Sequence, residues 1–259
     1  MSEATAPNSR AALIDRRAEG VLTWPGPVIM LFARPLIAVA AQGLVAAIYA
    51  TQRSATPWTD AAAWLPVYGT LIDLSCLGLL WRLSRREGIT ILELMSFDRK
   101  RLGRDMLLGI ALIVPSLVFI AAGNLTTNLL VYGTLGMPQI FHPLPLLATL
   151  YGVLVFPLVW GIVEQTTYNG YVLPRFQVLT GNTGIAVAGV ALVWAFQHAV
   201  MPLTFDTRFI AYRLLSPVPF SIFICLVYLR MRRIVPLATA HWLMDGGDAF
   251  VGSLLPLLR

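Results

Sequence analysis

Seven apolar runs, each bounded by charge or by turn residues, decide what this chain can become: about Val28 to Ala50, Ala61 to Trp81, Met106 to Asn128, Pro145 to Val172, Gly184 to Met201, Leu214 to Leu229 and Val235 to Leu258. Crossing roughly 30 Å of hydrocarbon takes about 20 mainly apolar residues, so each run reads as a transmembrane helix, the fifth and sixth short and the seventh interrupted by polar residues. Of 259 residues, 57% are hydrophobic and only 12% charged, whereas soluble domains are about half apolar and about a quarter charged. That balance excludes a water-soluble globule, and equally a disordered chain, a coiled coil or a nucleic-acid-binding domain, each of which needs more charge. The expected fold is all-α, a polytopic membrane helix bundle of about seven transmembrane helices, with membrane lipids as its surroundings and no nucleic acid partner. Cys76 and Cys225 lie inside apolar runs, so neither a disulfide framework nor a four-cysteine zinc site is available.

The formal charge of +6 comes from 18 arginines and one lysine against 13 acids, and the cations cluster between the runs. Fourteen fall on the side of the N-terminus: Arg10, Arg16, Arg17, the seven between Arg82 and Arg104, Arg175, and Arg230, Arg232 and Arg233. Only Arg53, Arg208, Arg213 and Arg259 fall opposite. The positive-inside rule then expects a cytoplasmic N-terminus and an external C-terminus. The stretch Arg82 to Asp105, apolar over Ile89 to Leu94, reads as an amphipathic element along the headgroups or as a solvated connector. The expected organisation is a polar N-terminal tail over 1–21 with nothing to cleave, two leading helices and the basic connector over 22–105, and a core over 106–259.

Ionisable groups within a bilayer cost about 2.5–3.5 kcal/mol each, so Asp73, Glu164, His198, His241, Asp245 and Asp248 each need a reason. Asp73 and Arg34 lie at a similar depth, roughly 9–12 Å from the same face at helical rise, and read as a structural pair; snorkelling of Arg34 or an ion site at Asp73 are the alternatives. Glu164, Tyr168 and Tyr171 at i, i+4 and i+7 put a carboxylate and two phenols on one helix face. Trp194 and His198 stand one turn apart, and His241, Asp245 and Asp248 repeat the i, i+4, i+7 spacing. A carboxylate and two histidines in a dry cavity can take a proton from water and stabilise an oxyanion, which amide hydrolysis requires. The same residues could ligate a divalent metal such as zinc, although no His-Glu-x-x-His motif is present. Singly, each has a plain packing role: a protonated, hydrogen-bonded Glu or a His wedged between helices. His198 lies deeper in its run than His241 does, by roughly 12 Å, a gap that tilt, a seventh helix broken around Gly246-Gly247, or longer helices would close.

The run Glu164 to Pro174 resembles the first motif of the CPBP intramembrane proteases, which include the type II CAAX prenyl endopeptidases. That motif reads Glu-Glu-x-x-x-Arg, followed by Gly, an aromatic or aliphatic pair, Leu and Pro; Glu164, Gly170, Leu173 and Pro174 match it, while Gln165 and Asn169 replace the second Glu and the Arg. The second motif, Phe-x-x-x-His, is met at His198 with Trp194 in place of the Phe, conservative in aromatic character, and the third, His followed four residues later by Asn or Asp, is matched by His241 and Asp245. The resemblance runs from about Met106 to Leu258. It implies helices around a water-accessible cavity, with Glu164 as general base, His198 positioning the water, and His241 with Asp245 facing the scissile carbonyl. Asp245 either donates as a neutral acid or orients His241. Gln165, Tyr168, Asn169, Trp194 and Asp248 are expected as supporting residues, and a divalent metal is left open.

Loss of a Glu and an Arg together removes an attraction without leaving an orphaned charge, and Gln165 and Asn169 can still bond each other. The replacements are thus compatible with an active hydrolase and with a catalytically silent relative that works by binding; a transporter fits less well, since the seven runs show no repeated halves. The implied partner is a peptide or lipidated protein substrate, with prenyl specificity not assigned. The 18-to-1 preference for arginine over lysine suggests a GC-rich genome and hence a bacterial cytoplasmic membrane.

Overall fold

The computed structural model describes residues 6–136 and 138–259, so the first five residues of the expected tail lie outside the described residues. Thirteen α-helices follow one another among the described residues: α1 (Arg10–Ala18), α2 (Pro25–Thr51), α3 (Pro57–Ala62), α4 (Leu65–Arg86), α5 (Ile91–Leu94), α6 (Leu102–Tyr132), α7 (Leu146–Leu154), α8 (Phe156–Gln165), α9 (Leu173–Thr180), α10 (Thr183–Ala199), α11 (Thr207–Leu215), α12 (Val218–Met231) and α13 (Ile234–Ala249). A π-helical stretch, Thr166–Val172, joins α8 to α9 without a break. Prolines stand in the first turn of α2, α3, α4, α8 and α12, where a missing N–H is harmless. Side chains of Asn182 and Asp206 cap α10 and α11, satisfying donors that lipid would leave bare.

Four helical stretches are long and apolar enough to cross a membrane: Pro25–Thr51, Arg99–Tyr132, Leu146–Thr180 and Thr207–Met231. These fit an integral membrane protein, but fall short of the seven spans expected. The apolar Thr183–Ala199 is shorter, α13 has only 16 residues, and Asp73 and the terminal arginines make α4 more polar. Leu107, Val114, Val118 and Leu130 of α6 are exposed, as a lipid-facing helix requires.

Much of the segment expected as a polar tail is ordered against the bundle. Helix α1 packs on α9, with Leu13 fully buried beside Val178 and Leu179. Ahead of it, the Asn8 amide donates to the carbonyls of Gly170 at 2.9 Å and Leu94 at 3.2 Å. Between α4 and α6 the connector forms the single turn α5, whose Thr90 and Glu93 cap each other, and a 3₁₀ turn over Arg99–Arg101. Two hydrogen bonds from Thr90 hold the Glu93 carboxyl below its ordinary range. Ile89 and Leu94 turn into the protein and Leu92 turns out.

Helix α13 lies between α6 and α8, and its approach depends on glycine. A Cβ at Gly109 of α6 would stand 2.6 Å from both the Pro236 carbonyl oxygen and Thr239 Cβ. One at Gly161 of α8 would stand 3.2 Å from the Ala238 carbonyl oxygen and the Trp242 nitrogen. Small residues allow such close packing where lipid offers no hydrophobic drive between helices. The start of α13 is also tied to α6 by an Arg233–Asp105 ion pair. Gly109→Ala is therefore expected to destabilise by about 2 kcal/mol or more, read as a lowered unfolding midpoint in lipid; an unchanged midpoint would show that α13 can shift freely.

Candidate active site

Glu164 sits in the last turn of α8 and is fully buried. Its Oε1 accepts the indole N–H of Trp194 at 2.5 Å and lies 3.8 Å from His241 Nε2. Its Oε2 lies 3.3 Å from Arg34 Nη2. A buried carboxylate is costly unless paired and hydrogen-bonded, and here α2, α10 and α13 each supply a partner. Among the described residues these contacts bring to Glu164 a residue 130 positions before it in the chain, Arg34, and another 30 positions after it, Trp194.

His241 is fixed at both ring nitrogens. The Gln165 amide N–H lies 3.0 Å from Nδ1, and as the donor it leaves the ring proton on Nε2. That nitrogen faces Asp245 Oδ2 at 3.2 Å, as well as Glu164. Asn169 in turn donates to Gln165 Oε1 at 2.8 Å, so the two residues that depart from the resembled motif bond each other and orient the histidine. Asn169 Oδ1 is buried and has no partner among the described residues.

The π-helical stretch changes what shares a face with the carboxylate. Its wider turn inserts a residue into the α-helical register, and the hydroxyls of Thr166 and Thr167 bond back to the carbonyls of Ile162 and Val163. Tyr168 stays beside Glu164: its ring stacks on Trp194 and its hydroxyl donates to Gln197 Oε1 at 3.1 Å. Tyr171 does not. It lies beneath the Arg175 guanidinium, 3.9 Å from its ring centre, correcting the expectation of two phenols beside one carboxylate.

Trp194 bonds Glu164 directly, whereas His198 stands a turn beyond with Nδ1 on the Trp194 carbonyl at 3.0 Å; no hydrogen bond or ion pair joins it to Glu164. Helix α13 runs unbroken through Gly246 and Gly247, so the offset in depth between the two histidines is not closed by a kink. Among the described residues, no three His, Cys, Asp or Glu side chains come together in a way that would hold a metal ion. Asp248 is exposed near the end of α13.

Residues not foreseen as site components also converge. Arg34 Nη1 lies 2.7 Å from Asp73 Oδ1, but the same guanidinium also reaches Glu164 and donates from Nε to Gln197 Oε1 at 3.1 Å. Gln197 is a fully buried amide next to His198 in an apolar helix, which is a cost that could have marked it. Arg213 donates to the carbonyls of His198 at 3.1 Å and Met201 at 3.0 Å, closing the end of α10. Only its position beyond the short fifth run hinted at such a role.

Asp245 and His198 are partly exposed while Glu164 is enclosed, so the accessible side of the cluster is the one toward the ends of α10 and α13. No curated protein and no solved structure matches the chain. A stretch covering less than half of the chain, residues 145–247, matches the family model described as Rce1-like: Type II CAAX prenyl endopeptidase Rce1-like. The matched stretch carries Glu164, Trp194, His198, His241 and Asp245, so the part of the chain that is similar to the Rce1-like type II CAAX prenyl endopeptidases is the part that holds this cluster.

Proposed function

We propose that this chain is an intramembrane endopeptidase that hydrolyses a peptide bond of a membrane-associated or lipid-modified substrate. The carrying observation is the enclosed Glu164 carboxylate 3.8 Å from His241 Nε2, inside a segment of matching family. Glu164 takes a proton from a water entering past Asp245 and His198, and the water oxygen attacks the scissile carbonyl carbon. The Nε2–H of His241, oriented by Asp245, donates to the oxyanion that develops. Glu164 then returns the proton to the leaving nitrogen as the C–N bond breaks. Seven helical passes carry this site: α2, α4, α6, α7 to α9, α10, α11 with α12, and α13. The N-terminus is cytoplasmic, following the cation distribution, in a bacterial cytoplasmic membrane.

The family is described by its action on prenylated substrates, and a lipidated peptide reaching the site sideways from the bilayer suits a cluster open toward the ends of α10 and α13. A second reading, a catalytically silent relative that acts by binding, is favoured by Gln165 and Asn169 and by a carboxylate already engaged at both oxygens. The two separate on incubation of the purified protein in lipid with a farnesylated peptide and a hydrophobic peptide library. The expected result is cleavage by wild type that falls about 100-fold or more in His241→Ala. Binding without cleavage, by protein that unfolds normally, would favour the silent relative.

A further inference from the structure

Arg34 is the only cation within the first apolar run, and its side chain is completely enclosed. A single acid would satisfy an arginine at such a depth, and Asp73 stands 2.7 Å from Nη1. The guanidinium is nevertheless shared among three helices. Nη1 meets Asp73 of α4, Nη2 meets Glu164 Oε2 of α8 at 3.3 Å, and Nε meets Gln197 Oε1 of α10 at 3.1 Å. Its guanidinium carbon also lies 4.3 Å from the centre of the Trp160 ring, a contact that suits the flat, delocalised cation.

These contacts close on themselves. Gln197 Oε1 also accepts from Tyr168, Tyr168 stacks on Trp194, and Trp194 holds Glu164 Oε1. Glu164 is thus gripped by Arg34 on one oxygen and by Trp194 on the other, with Gln197 and Tyr168 linking the two grips. The arrangement leaves Asp73 Oδ2 and Gln197 Nε2 buried without partners among the described residues. That cost is unnecessary for a pair serving stability alone. One cation thus faces two carboxylates, the nearer of them Asp73, so Glu164 is oriented by Arg34 without being half of an isolated neutral pair.

We propose that Arg34, set by Asp73, is the positioning residue for the Glu164 carboxylate, contributed from outside the 145–247 segment. The role rests on the reading of Glu164 as the base, but its test need not. Trp194 donates directly to Glu164, so its indole N–H resonance, assigned through Trp194→Phe, reports where the carboxylate lies whether or not the protein cuts a peptide. In lipid, Arg34→Gln should shift that resonance in the direction seen for Glu164→Gln, while Arg34→Lys should leave it near its wild-type place. In parallel, Arg34→Gln should lower kcat about 100-fold, the effect of a small misplacement, with KM changed by no more than about threefold; Arg34→Lys should recover part of the loss.

Arg34→Gln alone leaves Asp73 and Glu164 facing each other, so the fold is controlled with Arg34→Gln/Asp73→Asn. This double variant should regain the wild-type unfolding midpoint but neither kcat nor the Trp194 resonance. Full kcat in the double variant, or an unmoved resonance in both variants, overturns the proposal, since Arg34 would then serve only to balance Asp73. A wild type that cleaves nothing while the resonance moves as expected defeats the peptidase reading and leaves the positioning role standing.

Discussion

Glu164→Gln is expected to reduce peptide cleavage by about 100-fold to 10,000-fold while leaving the bundle folded. The substitution keeps the size of the side chain, and the amide oxygen can still accept from Trp194. What it removes is a site for the proton of the attacking water. Stability should suffer little because Arg34 and Asp73, 2.7 Å apart, still balance each other once the Glu164 charge is gone. The opposite deletion is harsher: without Arg34, two buried carboxylates face one another. Comparable unfolding midpoints for Glu164→Gln and wild type, together with lost cleavage, would assign the carboxylate to chemistry. Persisting cleavage at a wild-type rate would remove Glu164 as the base, whatever the family of the segment.

The helical character of the chain was legible because lipid leaves few alternatives: an apolar run of sufficient length satisfies its backbone internally or not at all. The count of spans was less so, because the residues that matter chemically make their own helices less apolar. Asp73 weakens the signal of α4, and His241, Asp245 and Asp248 that of α13. Spacing placed Glu164, Trp194, His241 and Asp245 on inward faces correctly enough to suggest a cluster. It could not foresee the π-helical turn that carries Tyr171 away, since that turn departs from the 3.6-residue period on which spacing relies. Nor could a count of residues along straight helices reveal that Trp194, one turn before His198, is what touches the carboxylate.

Arg34 shows the other limit of reading by motif. Depth alone suggested its pairing with Asp73, yet the third partner, Glu164, lies 130 residues away along the chain. The segment matched by the family model contains neither Arg34 nor Asp73. What surrounds the base is therefore specified partly by the leading helices, where no motif was recognised, and substitutions there should be judged by the carboxylate they address rather than by hydropathy.

Arg175 presents the larger expected loss of stability. In the sequence it counted merely as one cation in a short loop; in the structure it is fully enclosed and holds Glu87 in a two-pronged pair, Nε to Oε1 at 2.8 Å and Nη2 to Oε2 at 2.5 Å. Nη1 donates to Asn8 Oδ1 at 3.2 Å and the Tyr171 carbonyl at 3.0 Å. One side chain thus fastens the segment before α1, the end of α4 and the π-helical turn, and Arg16 adds a bond to the Glu87 carbonyl at 3.0 Å. Arg175→Met leaves Glu87 without its buried partner and is expected to cost about 3–5 kcal/mol. Arg175→Met/Glu87→Leu removes both charges and should recover much of that loss, because well-packed apolar groups replace a buried pair at little penalty. Unfolding of the four corners of this double-mutant cycle in lipid measures the coupling. Equal midpoints for the single and double variants would mean that the loss comes from the bonds to Asn8 and Tyr171 rather than from an unpaired Glu87, moving the fastening role from the ion pair to the backbone of the turn.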